Sequence, residues 1–141
     1  MYTTFAFELN LSGTTWTDIS DYVINADWGI GFTAPYEVIA RAEQLNLTLN
    51  NADKRFSPEF SGGAYYPDFT KSKSVRIQAT LSGSTYTLFF GQIDAITPQP
   101  NTKGERRATV TVAGLLMRLQ KILVNIELQE NKTTDEVIAV I

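Results

Sequence analysis

Apolar and polar side chains alternate with a period of two along most of this chain, which limits it to a fold built from half-buried strands. The clearest run is residues 45–49, in which three leucines are separated by polar side chains, and residues 75–79 repeat the pattern. Such a strand points its side chains alternately at a core and at solvent. A Ser-Gly-Ser turn at residues 82–84 predicts a β-hairpin over residues 74–94. The chain is therefore predicted to be mainly β with antiparallel pairing, with further extended segments at residues 5–9, 16–20, 22–32 and 107–112.

The chain contains neither cysteine nor histidine. The first absence excludes disulfides, thiolate metal sites, iron–sulfur clusters and a cysteine nucleophile. The second removes the commonest general base and metal ligand, and with them every histidine-dependent triad. A length of 141 residues with 43% hydrophobic side chains indicates one globular domain with its own core. We therefore expect a protein that is not an enzyme and that binds no cofactor.

The net charge of −3 makes the chain a poor candidate for binding the phosphate backbone of a nucleic acid. Residues 1–70 hold nine carboxylates against three basic groups, whereas residues 71–141 hold nine basic groups against six carboxylates. The asymmetry is either scatter in surface charge or an attraction between opposite faces of neighbouring copies.

The first residues lack the basic start and the apolar stretch of a secretory signal. Apolar runs are far shorter than the roughly 20 residues that span a bilayer. We expect a protein made in a cytoplasm, without membrane insertion by this domain.

Two long loops interrupt the strand pattern. Residues 51–72 combine prolines and glycines with five aromatic side chains, and residues 97–105 are polar and proline-rich. A loop of more than 20 residues is unusual in a compact domain and is often functional. Aromatic loop residues can stack on sugar rings, fold back as a lid over the core, or become buried at a subunit interface; the last two are favoured here.

The C-terminal part changes from a period of two to helical spacing. Apolar side chains recur over residues 115–123 as on an amphipathic helix, and Thr133 with Glu136 forms a capping box for a second helix. A helix of two turns needs a partner or more sequence. We expect residues 1–114 to form a β domain and residues 115–141 a helical linker into a further domain; the alternative is a C-terminal helix docked on the sheet.

Motifs that carry chemistry are scarce. The sequence has no phosphate-binding loop, and the glycines at 29 and 31 lack the rest of a dinucleotide fingerprint. Asp18 with Asp21, or Asn51 with Asp53, could offer oxygen ligands to a hard cation. The preferred interpretation is that these residues hold turns through side-chain to backbone hydrogen bonds. Paired carboxylates and Ser/Lys dyads are available by residue type, but no spacing selects them.

A set of short motifs in a fixed order resembles one known family. Residues 47–58 read Leu-Thr-Leu-Asn-Asn-Ala-Asp-Lys-Arg-Phe-Ser-Pro, and Ala64-Tyr-Tyr-Pro follows. Then come Lys73-Ser-Val-Arg-Ile and Leu88-Phe-Phe-Gly-Gln-Ile. This order is similar to the N-terminal domain of tail hub proteins, the baseplate hub or tail-tip proteins of long-tailed phages and prophages. The segments Gly114–Leu119 and Thr134–Ile138 resemble the helical linker of that family, so the resemblance covers about residues 16–141.

One position departs from the family pattern. The family often has glycine where this chain has Lys54. If the position requires a positive φ, lysine costs about 1 kcal/mol relative to glycine, or the turn differs in type.

The resemblance implies a tube-like fold, in which a pair of antiparallel sheets closes into a barrel or sandwich with one or two short helices toward the C-terminus. It implies a structural protein of the virion tail, assembled in the bacterial host cytoplasm. Copies of the chain would form a trimer-like or hexamer-like ring that continues the tail tube and connects it to the spike or fibre complex, contacting other tail and baseplate proteins. DNA would be only passing cargo in the lumen, and a carboxylate-rich inner wall would let it slide.

The two loops are the expected contacts between subunits. The residues placed there are Phe56, Phe60, Tyr65, Tyr66, Phe69, Gln99, Asn101 and Lys103. Two other classes stay open: a carbohydrate-binding β-sandwich module of a larger protein, and a cation-dependent hydrolase that would rely on Asp18 or Asp53.

Overall fold

The computed structural model describes residues 4–31, 36, 41–100 and 105–117. The regular secondary structure of these residues is seven strands, one 3₁₀ turn and the start of a helix. The 3₁₀ turn is Ser20–Tyr22, and residues 115–117 begin a helix. The strands are β1 (Thr4–Asn10), β2 (Trp16–Asp18), β3 (Val23–Gly31), β4 (Arg41–Asn50), β5 (Ser74–Leu81), β6 (Ser84–Gln99) and β7 (Arg107–Gly114).

All seven strands belong to one antiparallel sheet in the order β2-β1-β5-β6-β7-β4-β3. The sixteen-residue strand β6 joins its two halves, because residues 84–92 pair with β5 and residues 91–99 pair with β7. Gly91 is paired on both sides, with Val75 and with Gly114. A Cβ atom at Gly91 would lie 2.5 Å from the carbonyl oxygen of Ala113, so only glycine fits this position.

The two halves of the sheet share one core, which requires the sheet to bend along β6. Leu9, Val75 and Phe89 from one half belong to the same buried cluster as Leu47 and Val112 from the other. The pairing register of β6 shifts by one residue at Leu88 and again at Asp94, as in β-bulges. Such bulges bend a strand and increase its twist. In β6 the second bulge also changes which side chains face inward, from Phe89, Gly91 and Ile93 to Ile96.

The predicted mainly-β antiparallel fold is confirmed, as are the hairpin of β5 and β6 and a helix beginning after Gly114. The strands form one bent sheet, which is not closed, where two sheets closed into a barrel or sandwich were expected. The bend gives this single sheet a shared interior that resembles that of a sandwich. Residues 118–141, with most of the predicted linker and the capping box, lie outside the described residues.

Candidate subunit interface

Residues 51–72, here called the turn loop, are a series of linked turns rather than an irregular loop. Every third residue from Lys54 to Tyr66 donates its backbone N–H to the carbonyl three residues earlier, at 2.9–3.1 Å. Phe69 ends the series with a 2.8 Å bond to the carbonyl of Tyr65. Asparagine, glycine, proline and serine favour such turns, and they recur through this segment. The turn loop is therefore rigidly hydrogen-bonded despite its length.

Asn51 anchors the start of the turn loop from a buried position. Its side-chain Oδ1 accepts from the N–H of Phe56, and its Nδ2 donates to Oγ of Ser57, each at 2.9 Å. Its own backbone N–H donates to the carbonyl of Arg106 at 2.8 Å. The side chain is only 2% exposed, so these bonds replace lost water contacts and fix the first two turns.

Phe56 and Phe69 from the turn loop fill the protein's own core. Both rings are almost completely buried, and their centroids lie 5.5 Å apart in an edge-to-face arrangement. Tyr22 and Tyr65 pack against Phe56 at 5.7 and 5.5 Å. Of the five aromatic residues predicted for a subunit interface, Phe56 and Phe69 therefore pack inside the subunit, as a lid over the core would. Phe60 and Tyr66 are the ones that remain exposed, at 37% and 47%.

The second turn carries a compact group of charges. Lys54 has φ +61°, the left-handed conformation that favours glycine, so the position does require a positive φ. Its Nζ lies 4.5 Å from the centre of the Phe60 ring. Arg55 pairs with Asp53 through its Nε at 2.6 Å and through its terminal nitrogen, and its guanidinium lies 3.9 Å from the centre of the Tyr22 ring.

These contacts set the ionisation of the pair. The hydrogen bond from Arg55 lowers the pKa of Asp53 below its usual value, and the same bond raises the pKa of Arg55. Both groups are therefore charged across the physiological range, and the pair braces the turn against Tyr22.

A cleft separates the turn loop from the C-terminal end of β6. One part of it, with a volume of 450 Å³, is lined by Lys54, Phe60 and Ile96 among others. An adjoining part of 310 Å³ shares Lys54 and reaches Gln99 and Arg106. The structure thus brings two of the predicted contact residues, Phe60 and Gln99, to the same cleft. Asn101 and Lys103 lie outside the described residues.

The outer face of the second half of the sheet is covered by hydroxyl and amide side chains; we call it the polar face. One row across four strands is Asn25, Thr48, Thr109 and Thr97. The next row includes Asn46, which accepts from Oγ1 of Thr111 at 3.3 Å. The period-two pattern indicated this face strand by strand, but the row across strands depends on register, which the sequence does not give.

The first half of the sheet carries a different outer face. Glu8 and Arg76 pair across β1 and β5 at 2.5 Å, and the Arg76 guanidinium lies 4.2 Å from the centre of the Trp16 ring. Phe90 contacts Trp16 edge to face at 6.4 Å and is 49% exposed. Arg76 therefore covers one face of the Trp16 ring, and a sugar could stack on that face only by displacing the guanidinium.

The residues considered as cation ligands hold turns. Asp18 Oδ1 accepts from the N–H of Ser20 at 2.9 Å, and Asp53 Oδ1 accepts from the N–H of Arg55 at 3.2 Å. Within residues 4–31, 36, 41–100 and 105–117, no three acidic side chains come together as a cation site. Over the same ranges, no helix has the length and apolar character needed to cross a bilayer.

Comparison with known proteins returned no matching family model and no similar curated protein.

Proposed function

We propose that this chain is a non-catalytic structural component of a phage or prophage tail tip or baseplate hub, in which copies assemble into a ring around a lumen. The observation that carries the proposal is the open sheet: the nine-residue strand β3 is an edge strand, with β4 as its only partner among the described strands. An unpaired edge of this length offers a row of free N–H and C=O groups to another chain. Pairing of β3 with the next copy would satisfy them and close a ring.

The polar face supports the same proposal. It lies on the half of the sheet that contains β3, and its two rows from Asn25 to Thr97 and from Asp27 to Ala95 contain one charged residue, Asp27. A sheet with one apolar and one polar face can pack a core on one side and meet water on the other. Uncharged hydroxyl and amide groups would give passing DNA a wet wall without strong binding sites for phosphate.

Lys54 adds a local argument. The family resembled by the sequence often has glycine at this position, and the structure gives Lys54 the backbone conformation that glycine favours. A positive φ at this position is the conformation that a glycine there would favour, so the backbone of Lys54 supports the proposal.

The competing proposal of a carbohydrate-binding module needs exposed aromatic platforms. Phe56 and Phe69 are buried and Arg76 covers one face of Trp16, whereas Phe60 and Tyr66 are partly exposed but lie in the turn loop expected at the subunit contact. We therefore favour the ring over the carbohydrate-binding module.

The oligomeric state of the full chain across a concentration series tests the proposal. We expect closed trimers or hexamers that appear as rings by electron microscopy. Their fraction of the total protein should increase with concentration. A strict monomer that binds glycans would refute the ring and favour the carbohydrate-binding module, and a strict monomer without glycan binding would refute both.

Two proline variants at adjacent positions, A26P and D27P, locate the contact. Alternate N–H groups of a strand point to opposite sides, so one variant breaks a bond to β4 and the other removes only an edge donor. We expect the variant that keeps the parent's thermal stability to lose assembly. Undiminished assembly in that variant would show that β3 is not the contact.

A further inference from the structure

The cleft between the turn loop and the end of β6 has a cationic part and an apolar part. In the cationic part, of 310 Å³, the charged side chains are Lys54 and Arg106, and no carboxylate lies among the described residues that line it. Neither cation forms an ion pair within residues 4–31, 36, 41–100 and 105–117. The apolar part, of 450 Å³, shares Lys54 and is lined by Phe60 and Ile96, with the exposed Glu59 as its one described carboxylate. The cleft is therefore suited to a group that combines a carboxylate with an apolar side chain.

Ser57 adds a hydrogen-bond donor to the cationic part. Its Oγ accepts from Nδ2 of Asn51 at 2.9 Å, which leaves the hydroxyl hydrogen to donate to another group. A carboxylate in this part of the cleft could meet a hydroxyl, an ammonium and a guanidinium group. Hydrogen bonds to a charged partner are stronger than those between neutral groups. The lining thus favours an anion over a neutral ligand.

The other end of the turn loop carries side chains that match the cleft. Tyr66 is 47% exposed, and Asp68, two residues later, is also exposed. Residues 66–68 are here called the tip. Phe69 directly after the tip is buried in the core, and its N–H donates to the carbonyl of Tyr65 at 2.8 Å. The tip therefore presents a carboxylate and an aromatic ring from a fixed base, which reduces the entropy lost on binding.

Arg106 connects the cleft with the edge of the sheet. A third cavity, of 320 Å³, is lined by Ile24 of β3, Ala52 and Arg106 among others. β3 is the edge strand proposed to pair with the next copy. A copy that pairs there would lie beside the cleft, which favours a second copy of this chain as the occupant.

We propose that the tip of one copy enters the cleft of the next copy in the ring. Asp68 would pair with Lys54 and Arg106, and Tyr66 would pack against Phe60. The inference rests on the proposed function, since it requires copies to assemble. The contact is head to tail, because the tip and the cleft are different surfaces, and such a contact can repeat around a ring.

Charge reversal tests the pairing, with the concentration of half-assembly measured by analytical ultracentrifugation of the full chain. D68R and R106E should each raise this concentration on the order of tenfold, because like charges then face each other. The double variant D68R/R106E should return to within about threefold of the parent, because each contact then holds a reversed pair. The controls D21R and K71E, which reverse exposed charges elsewhere, should assemble like the parent.

The outcomes separate this contact from the ring itself. If the parent assembles and D68R assembles equally well, or if the double variant shows no recovery, the contact is wrong and the ring stands. A parent that stays monomeric would refute the ring, and the contact with it. Circular dichroism melting shows that each variant keeps the parent's fold, so that a loss of assembly reports on the contact.

A cross-link locates the contact without changing the charge of the cleft. The chain has no cysteine, so D68C and Q99C each introduce a single thiol, the second of them in the cationic part. A short bismaleimide added to a mixture of the two variants should give a product that joins one copy of each, whereas D21C mixed with Q99C should react poorly. No product, or a D68C variant that cross-links mainly to itself as in a two-fold contact, would overturn the proposal.

Discussion

The left-handed backbone of Lys54 provides a quantitative test of how the turn loop is held. Two effects act there in opposite directions. A non-glycine residue at φ +61° is strained by about 1–2 kcal/mol. The contact of its ammonium group with the Phe60 ring, at 4.5 Å in a half-buried setting, returns about 0.5–1 kcal/mol.

Two substitutions separate these effects. K54A keeps the strain and loses the contact, so we expect it to be less stable than the parent by about 0.5–1 kcal/mol. K54G loses both the strain and the contact, and the greater entropy of its unfolded chain lowers its stability by about 0.4–1 kcal/mol. Its free energy of unfolding should therefore exceed that of K54A by about 1 kcal/mol and lie close to that of the parent.

Urea unfolding followed by tryptophan fluorescence gives the free energies, and a difference of 1 kcal/mol moves the melting temperature by about 3 °C in a chain of this size. The F60A variant should cost stability in the parent and cost less in the K54G background, because the contact is then already absent. A K54G variant no more stable than K54A would refute the strain, and an equal effect of F60A in both backgrounds would refute the contact.

Three further predictions concern single side chains, each measured by urea unfolding. N51A leaves a buried N–H without its acceptor and should cost about 2 kcal/mol, whereas the exposed N50A control should cost about 0.5 kcal/mol; equal losses would contradict the buried anchor. G91A should cost about 1–3 kcal/mol because its Cβ meets the backbone of β7, while G29A, with open space around it, should change stability by less than about 0.5 kcal/mol. The folded pKa of Asp53 lies below its ordinary 3.8, so its ion pair stabilises the protein above that pH and the contribution is lost as pH falls through the folded pKa. The stability advantage of the parent over D53N should therefore vanish in strong acid, and an advantage independent of pH would contradict this.

The strands could be predicted from the sequence because the signal for each lies within a few residues. The alternation at Leu45, Leu47 and Leu49 and the turn at Gly83 placed β4 and the β5–β6 hairpin correctly. That the strands form one open, bent sheet could not be predicted in the same way. It depends on the bulge at Asp94 and the bend at Gly91, which involve pairing between segments far apart in sequence.

It was harder to predict which aromatic residues of the turn loop are buried. A series of turns does not repeat apolar residues in the sequence at the regular spacing that marks the buried face of a strand or helix. Phe56 and Phe60 are equally apolar in the sequence, yet one is buried and the other half-exposed. The buried amide of Asn51 accepts from the N–H of Phe56, whereas the N–H of Phe60 donates to the carbonyl of Ser57. Phe56 is thus held beside a buried polar anchor, and hydrophobicity alone does not reveal this contact.

The core is covered at one end of the bent sheet and exposed at the other. At the start of β5 the turn loop closes the core with Phe56 and Phe69, and it is tied to β6 where Ser72 donates to the carbonyl of Ile93. At the other end of β5, seven residues later, Leu81 and its neighbours on the same face remain exposed. Uncovered apolar side chains that continue a core lose the favourable transfer from water that the rest of the core gains. The open end is thus where further burial would contribute most to stability. Because β3 lies at the edge of the other half of the sheet, its pairing with another copy would leave this apolar end unchanged.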